Sequence, residues 1–397
     1  MRCYLTLLLP LLACSGSNNM ADAGSISTQT SWDLNDVSIL MPLPSSTAER
    51  ASALWLLPPS GSRGPGFPSA FVDQLPQLNA DVPSVAGYPS VLIVGLRFDP
   101  CFQVERGCQA QIRLVGQPIQ FSGESPSMLE DSAVHLFYAL SETEASATKE
   151  ALRAIRSASP TPTSGRLRVH PGLAQQGWSG NLAQQLRTLV TRHCRTDNFI
   201  RVTVNSFAMD NWSFHRFDVV NGALVPQTLA HLSTPDTAQA WLRQADRDST
   251  EDPSGTIAPA PAADDFSLFL SATSFVGGQP VDASAAAVAA KALLRIENPQ
   301  THTPESADCV SCHVAGPARR FAQRNGVSFV LAERYVAPEG IDTAVDLDPR
   351  ADGNLGVTIQ FGYHSNAEPQ RAIMPVISER TVFETAEVVA RLRTAPP

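Results

Sequence analysis

Ser90-Val91-Leu92-Ile93-Val94-Gly95-Leu96-Arg97-Phe98 decides the reading of the fold. The run is dense in β-branched and aliphatic residues, which suit a pleated, buried surface, so it reads as a strand. Gln111-Ile112-Arg113-Leu114-Val115 reads as its hairpin partner, across a loop that contains Cys101 and Cys108. Working outward, residues 133–140 read as a further strand leading into a helix over 142–157. Residues 182–194 carry Leu182, Leu186, Leu189 and Val190 at helical spacing. Two alternating runs, 200–207 and 212–220, flank Met209-Asp210-Asn211 as paired strands flank a turn. Residues 31–245 are therefore expected to form an α+β domain on an antiparallel sheet.

Beyond this the composition changes. Residues 246–265 contain Glu251-Asp252-Pro253-Ser254-Gly255 and Ala258-Pro259-Ala260-Pro261, a charged, Pro/Ala-rich stretch that reads as a linker. Residues 266–397 are expected to form a second, mainly helical domain. It would hold a helix over 285–295, an irregular stretch over 299–308, and strands over 326–334 and 356–361. An amphipathic helix over 381–393 would close it, with Thr381 and Glu384 as a capping box and Phe383, Ala386, Val389 and Leu392 on one face. With 397 residues, two cores of ordinary size are affordable. A net charge of −9 with only two lysines, Lys149 and Lys291, leaves no basic footprint for nucleic acid.

The N-terminus reads as a targeting segment. Met1-Arg2 is a short positive start, and residues 4–13 are apolar over a length too short to span a bilayer. The segment ends in Leu11-Leu12-Ala13-Cys14, which resembles the bacterial lipobox. That resemblance implies a leader over 1–13, lipidation of Cys14, a tether over 14–30, and a membrane-held protein on the periplasmic side. Ser15 after Cys14, in place of Asp, implies the outer membrane. An ordinary cleaved signal with an incidental Cys14 is the alternative.

The seven cysteines sort by this setting. Cys3 belongs to the leader and Cys14 to the lipid. In an oxidising compartment Cys101 and Cys108 read as a local disulfide, and Cys194 has no evident partner.

Cys309-Val310-Ser311-Cys312-His313 remains, and Cys-x-x-Cys-His is the attachment signature of c-type haem. Two thiols at this spacing meet the two vinyl groups of one porphyrin edge, and the next residue sets an imidazole under the iron. With seven Cys and eight His, chance gives ~0.003 occurrences of this pattern in the chain. Rival readings are a redox-active dithiol, a plain Cys309–Cys312 disulfide, and a zinc site drawing on His302, Cys309, Cys312 and His313.

The C-terminal third resembles the class I cytochromes c: the attachment motif is followed, 61 residues after His313, by Met374-Pro375 and a terminal helix. The resemblance implies one covalent haem c with Cys309 and Cys312 as thioether anchors and His313 and Met374 as iron ligands. His364 and His302 are rival sixth ligands, as is an open position. It departs from the family in the ten or so irregular residues before the motif and in the strands expected after it. Electron exchange with a redox partner is the function implied. A haem-containing oxidoreductase subunit and a non-catalytic binding lipoprotein with a structural Cys-x-x-Cys are the alternatives.

Overall fold

A computed structural model describes residues 31–58, 64–79, 87–104, 107–129, 131–208, 211–229, 237–242, 264–345, 357–365 and 373–394. The leader and tether, Cys14 included, lie outside the described residues, as does nearly all of the expected 246–265 linker. Residues 32–397 form one compact unit.

The chain starts with α1 (Leu34–Val37), β1 (Ser38–Leu40) and α2 (Thr47–Ser52), then β2 (Val91–Val104), β3 (Gly107–Ser122), β4 (Ser125–Leu129) and β5 (Ala133–Ala139). Three helices follow, α3 (Glu142–Ser157), α4 (Pro171–Gln176) and α5 (Asn181–His193). The sheet resumes with β6 (Phe199–Ala208), β7 (Asn211–Val220), β8 (Ala223–Pro226) and β9 (Ala238–Leu242). The last third holds the short pair β10 (Phe275–Val276) and β11 (Gln279–Pro280), then α6 (Ala283–Glu297) and α7 (Cys309–Arg324). The hairpin β12 (Phe361–Ser365) and β13 (Ile373–Ile377) and the terminal α8 (Glu379–Thr394) complete it.

The main sheet is antiparallel, ordered β1-β2-β3-β5-β6-β7-β8, with β4 on β3 and β9 on β7. The expected α+β architecture and central hairpin are present, and Cys101 and Cys108 are joined across it. Register fixes which side chains share a face. Leu96, Leu114, Leu136, Val202 and Phe217 stand in one row across β2, β3, β5, β6 and β7, and all are buried in the core shared with α3 and α5. The neighbouring row, Gly95, Val115, His135, Thr203 and Arg216, faces the other way because side chains alternate along a strand.

The last third covers this second face. Residues of α8, including Val382, Phe383, Ala386 and Val389, are buried in the same core as the sheet, while α6 and α7 form a second cluster with Trp212, Phe214 and Trp241. Ser38 Oγ lies 2.8 Å from Thr385 Oγ1, and the Gln117 carboxamide pairs with the Tyr363 backbone, donating to its carbonyl at 2.9 Å and accepting its N–H at 2.7 Å. Such long-range pairing is invisible to local periodicity.

Two local expectations change as well. Residues 327–330 and 357–360 are irregular, with 331–333 a 3-10 turn, so the expected strands over 326–334 and 356–361 reduce to β12, starting at Phe361. The cap of α8 is Ser378, whose hydroxyl accepts from Thr381 N–H at 3.0 Å. Glu384 is drawn away from the expected capping box into an ion-pair cluster.

Gly95 marks the close approach of the two halves. A Cβ placed there would stand 2.8 Å from the ring of buried Phe361. Gly95→Ala is expected to cost about 1–3 kcal/mol through this overpacking, read as a lower urea midpoint.

Candidate functional site

Cys309-Val310-Ser311-Cys312-His313 forms the first turn of α7. Asp308 is the N-cap, its Oδ1 accepting from Ser311 N–H at 2.9 Å. Helical spacing then puts Cys309, Cys312 and His313, at i, i+3 and i+4, on one face. Val310, Ser311, Val314 and Ala315 on the remaining faces are buried. Both motif cysteines are half-buried free thiols. Pro317 has no N–H with which to bond the His313 carbonyl, so the regular ladder is interrupted one turn beyond the motif.

Three side chains hold this turn in place. Gln239 on β9 donates to Asp308 Oδ1 at 2.6 Å and accepts from Val310 N–H at 3.0 Å. Gln360 donates to the Cys312 carbonyl at 2.5 Å. His313 Nδ1 lies 2.8 Å from the Thr358 carbonyl oxygen, which can only accept, so the proton sits on Nδ1 and the lone pair on Nε2, the form that ligates a metal. Thr358 is itself tied down. Its N–H donates to Asp131 Oδ2 at 3.1 Å, and Trp212 Nε1 donates to the same oxygen at 2.7 Å. Burial raises the Asp131 carboxyl above its ordinary range, against the opposing effects of His364 and these hydrogen bonds. Asp308→Ala removes a cap and half of the Gln239 clamp, and is expected to cost about 1–2 kcal/mol, measurable as a lower melting temperature.

The Cys309/Cys312/His313 face opens onto a cavity of about 100 Å³ between α7 and the second face of the sheet. Its walls combine apolar residues (Phe102, Phe137, Phe214, Leu229) with Arg113, Arg201 and Arg216. The His313 ring packs 4.8 Å from Phe214, centroid to centroid, and 6.5 Å from His135. Burial, followed by Arg113 and His313, holds the His135 imidazole well below its ordinary pKa and thus neutral.

A cationic cluster borders the cavity. Glu384 is ion-paired with Arg97 and with Arg380 at 2.8 Å, and Arg113 stands 4.0 Å away. Burial alone would raise the Glu384 carboxyl, but Arg97, Arg380 and Arg113 outweigh it and hold it well below the usual range. Burial and the adjacent Arg97 lower Arg113 to about 10, and its Nε has no hydrogen-bond partner. On the other side Glu305 bridges Arg201 at 2.8 Å and Arg216 at 2.9 Å.

The sequence-derived residues sort clearly. Cys309, Cys312 and His313 line one cavity. Met374 does not: it lies in β13 opposite His364 in β12, and neither residue lines the cavity. The family likeness assumes a loop before the terminal helix at Met374-Pro375, whereas here a strand occupies that place. His302 is engaged elsewhere, its Nε2 2.8 Å from Asp264 and its Nδ1 3.2 Å from the Ser306 carbonyl. Among the described residues no group of three or more His, Cys, Asp or Glu is arranged to hold a metal ion, which leaves the zinc reading without a ligand set. Burial, then Asp308, pushes the Cys309 thiol up to about 12, the opposite of the lowered pKa a redox dithiol needs. Cys194 is a buried thiol in the main core.

His135 is the cavity residue that sequence reasoning missed. Its signal was a polar residue at an odd position of a strand whose even positions, Val134, Leu136 and Tyr138, are buried.

Among the described residues, no helix is long and apolar enough to cross a membrane. The chain matches no protein-family model, no curated protein and no solved structure.

Proposed function

We propose that this chain is an envelope lipoprotein, anchored through Cys14 with the outer membrane favoured, that carries one covalent haem c and exchanges single electrons with a redox partner. The observation that carries this reading is the Cys309/Cys312/His313 face of α7, set on the wall of a cavity with the lone pair of His313 on Nε2. The residues present fit the group. Two unoxidised thiols stand one helical turn apart, an imidazole follows, apolar rings line the slot, and the orphaned Arg113 Nε suits a propionate carboxylate.

Cys309 and Cys312 would hold the group covalently, each S–H adding across one vinyl C=C with sulfur on one carbon and the hydrogen on the other, so that no oxidant would be needed. When bound, haem supplies one-electron exchange at iron. The protein's share is to fix His313 through Thr358, to exclude water with Phe102, Phe137 and Phe214, and to set the potential through ligand identity and burial.

The test is the intact mass and the reduced-minus-oxidised spectrum of protein exported with the haem-attachment machinery. The expected product is about 616 Da heavier than the bare mature chain and shows the c-type absorption band. A colourless product of bare mass, or one lighter by two hydrogens at Cys309–Cys312, would end this reading.

A further inference from the structure

Two imidazoles face each other across the cavity, and one of them lies outside the motif. His135 and His313 have ring centroids 6.5 Å apart with 30° between their planes. A metal–imidazole nitrogen bond is about 2 Å and each nitrogen is about 1.1 Å from its ring centre, so two axial imidazoles on one iron place their centroids about 6 Å apart. The planes of such a pair both contain the ligand axis and are free to take any mutual angle, 30° included. The observed spacing is close to that of two imidazoles sharing a metal.

We infer that His135 is the second axial ligand of the haem held at Cys309, Cys312 and His313, an assignment that rests on the haem reading above.

The position is built for it. His135 stands mid-strand on β5, in register with Val115 on β3 and Thr203 on β6, so its backbone is fixed from both sides. Among the described histidines His215 also lines the cavity, but its ring is stacked on Phe217, while His170 caps α4 and His193 ends α5. His302 is held by Asp264, and His364 pairs with Met374 in the β12–β13 hairpin and does not line the cavity. His231 lies outside the described residues.

The assignment changes what the site does. Two protein imidazoles leave no open coordination position, which favours electron transfer over substrate chemistry at iron. Replacing methionine by histidine as sixth ligand also lowers the reduction potential relative to the arrangement first expected.

The experiment uses the full exported, haem-attached protein. Ferric and ferrous spectra, electron paramagnetic resonance and mass are recorded for wild type, His135→Ala, His135→Met and Met374→Ala. The wild type is expected to be six-coordinate and low-spin, without the methionine-to-iron charge-transfer band. His135→Ala is expected to become high-spin, to bind carbon monoxide when ferrous, and to regain the low-spin spectrum with added imidazole, which a merely structural role for His135 would not produce. Met374→Ala should leave the spectrum unchanged. If His135→Ala fails to accumulate, the near-isosteric His135→Met decides: a raised potential supports the assignment and an unchanged one overturns it. Wild type bearing the haem mass whose spectrum survives His135→Ala, or collapses in Met374→Ala, overturns the ligand assignment alone. Wild type without the haem mass removes the haem reading and this assignment together.

Discussion

Exported Cys309→Ala/Cys312→Ala protein is expected to carry no covalent haem, losing the about 616 Da increment and the haem stain of a denaturing gel. The effect is all-or-none because the other described cysteines are engaged: Cys101 and Cys108 are paired with each other, and Cys194 is buried in the core behind the sheet. Single substitutions are expected to leave one thioether and a red-shifted spectrum, since one vinyl group then stays conjugated with the ring. His313→Ala should leave both thiols but deprive the iron of the ligand oriented by Thr358. Covalent haem persisting in the double variant would refute the attachment site.

Glu384→Gln is expected to cost about 3–5 kcal/mol, the largest stability loss of any single substitution considered, because it strands buried cations without their anion. Arg97 and Arg380 are each about 5% exposed and both contact this carboxylate. Its folded-state pKa is depressed below the ordinary 4.5. The unfolded chain therefore binds the proton more tightly, and stability from Glu384 is complete above pH 4.5 and lost as pH falls toward the folded value. The gap between wild type and Glu384→Gln, read from denaturant midpoints, should be widest at neutral pH and narrow in acid. A gap that widens on acidification would contradict the assigned cluster.

Much of the sheet was legible because its signals are local. The runs around residues 91–98, 111–115, 133–140, 200–207 and 212–220 all appear as strands of the main sheet, and the helices expected over 142–157, 182–194 and 285–295 appear as α3, α5 and α6. Residues 326–334 alternate like a strand but find no neighbouring edge to pair with, and periodicity alone cannot supply one. Thr381 and Glu384 had capping-box spacing, yet Arg97 and Arg113 on distant strands and Arg380 one turn earlier compete for the same carboxylate and prevail. The motif itself was readable since its chemistry is contained within five residues. Its partner across the cavity was not, because His135 and His313 are brought together by the fold of strands and helices between them. A lone histidine in an alternating strand carries no mark of what will come to face it.

The Gln117–Tyr363 pairing and the Ser38–Thr385 contact have a kinetic meaning. They join residues 246 and 347 positions apart, so they form only after segments distant along the chain have met. Pairings of such high contact order form slowly, so closure of this side of the sheet is expected to be a late step of folding.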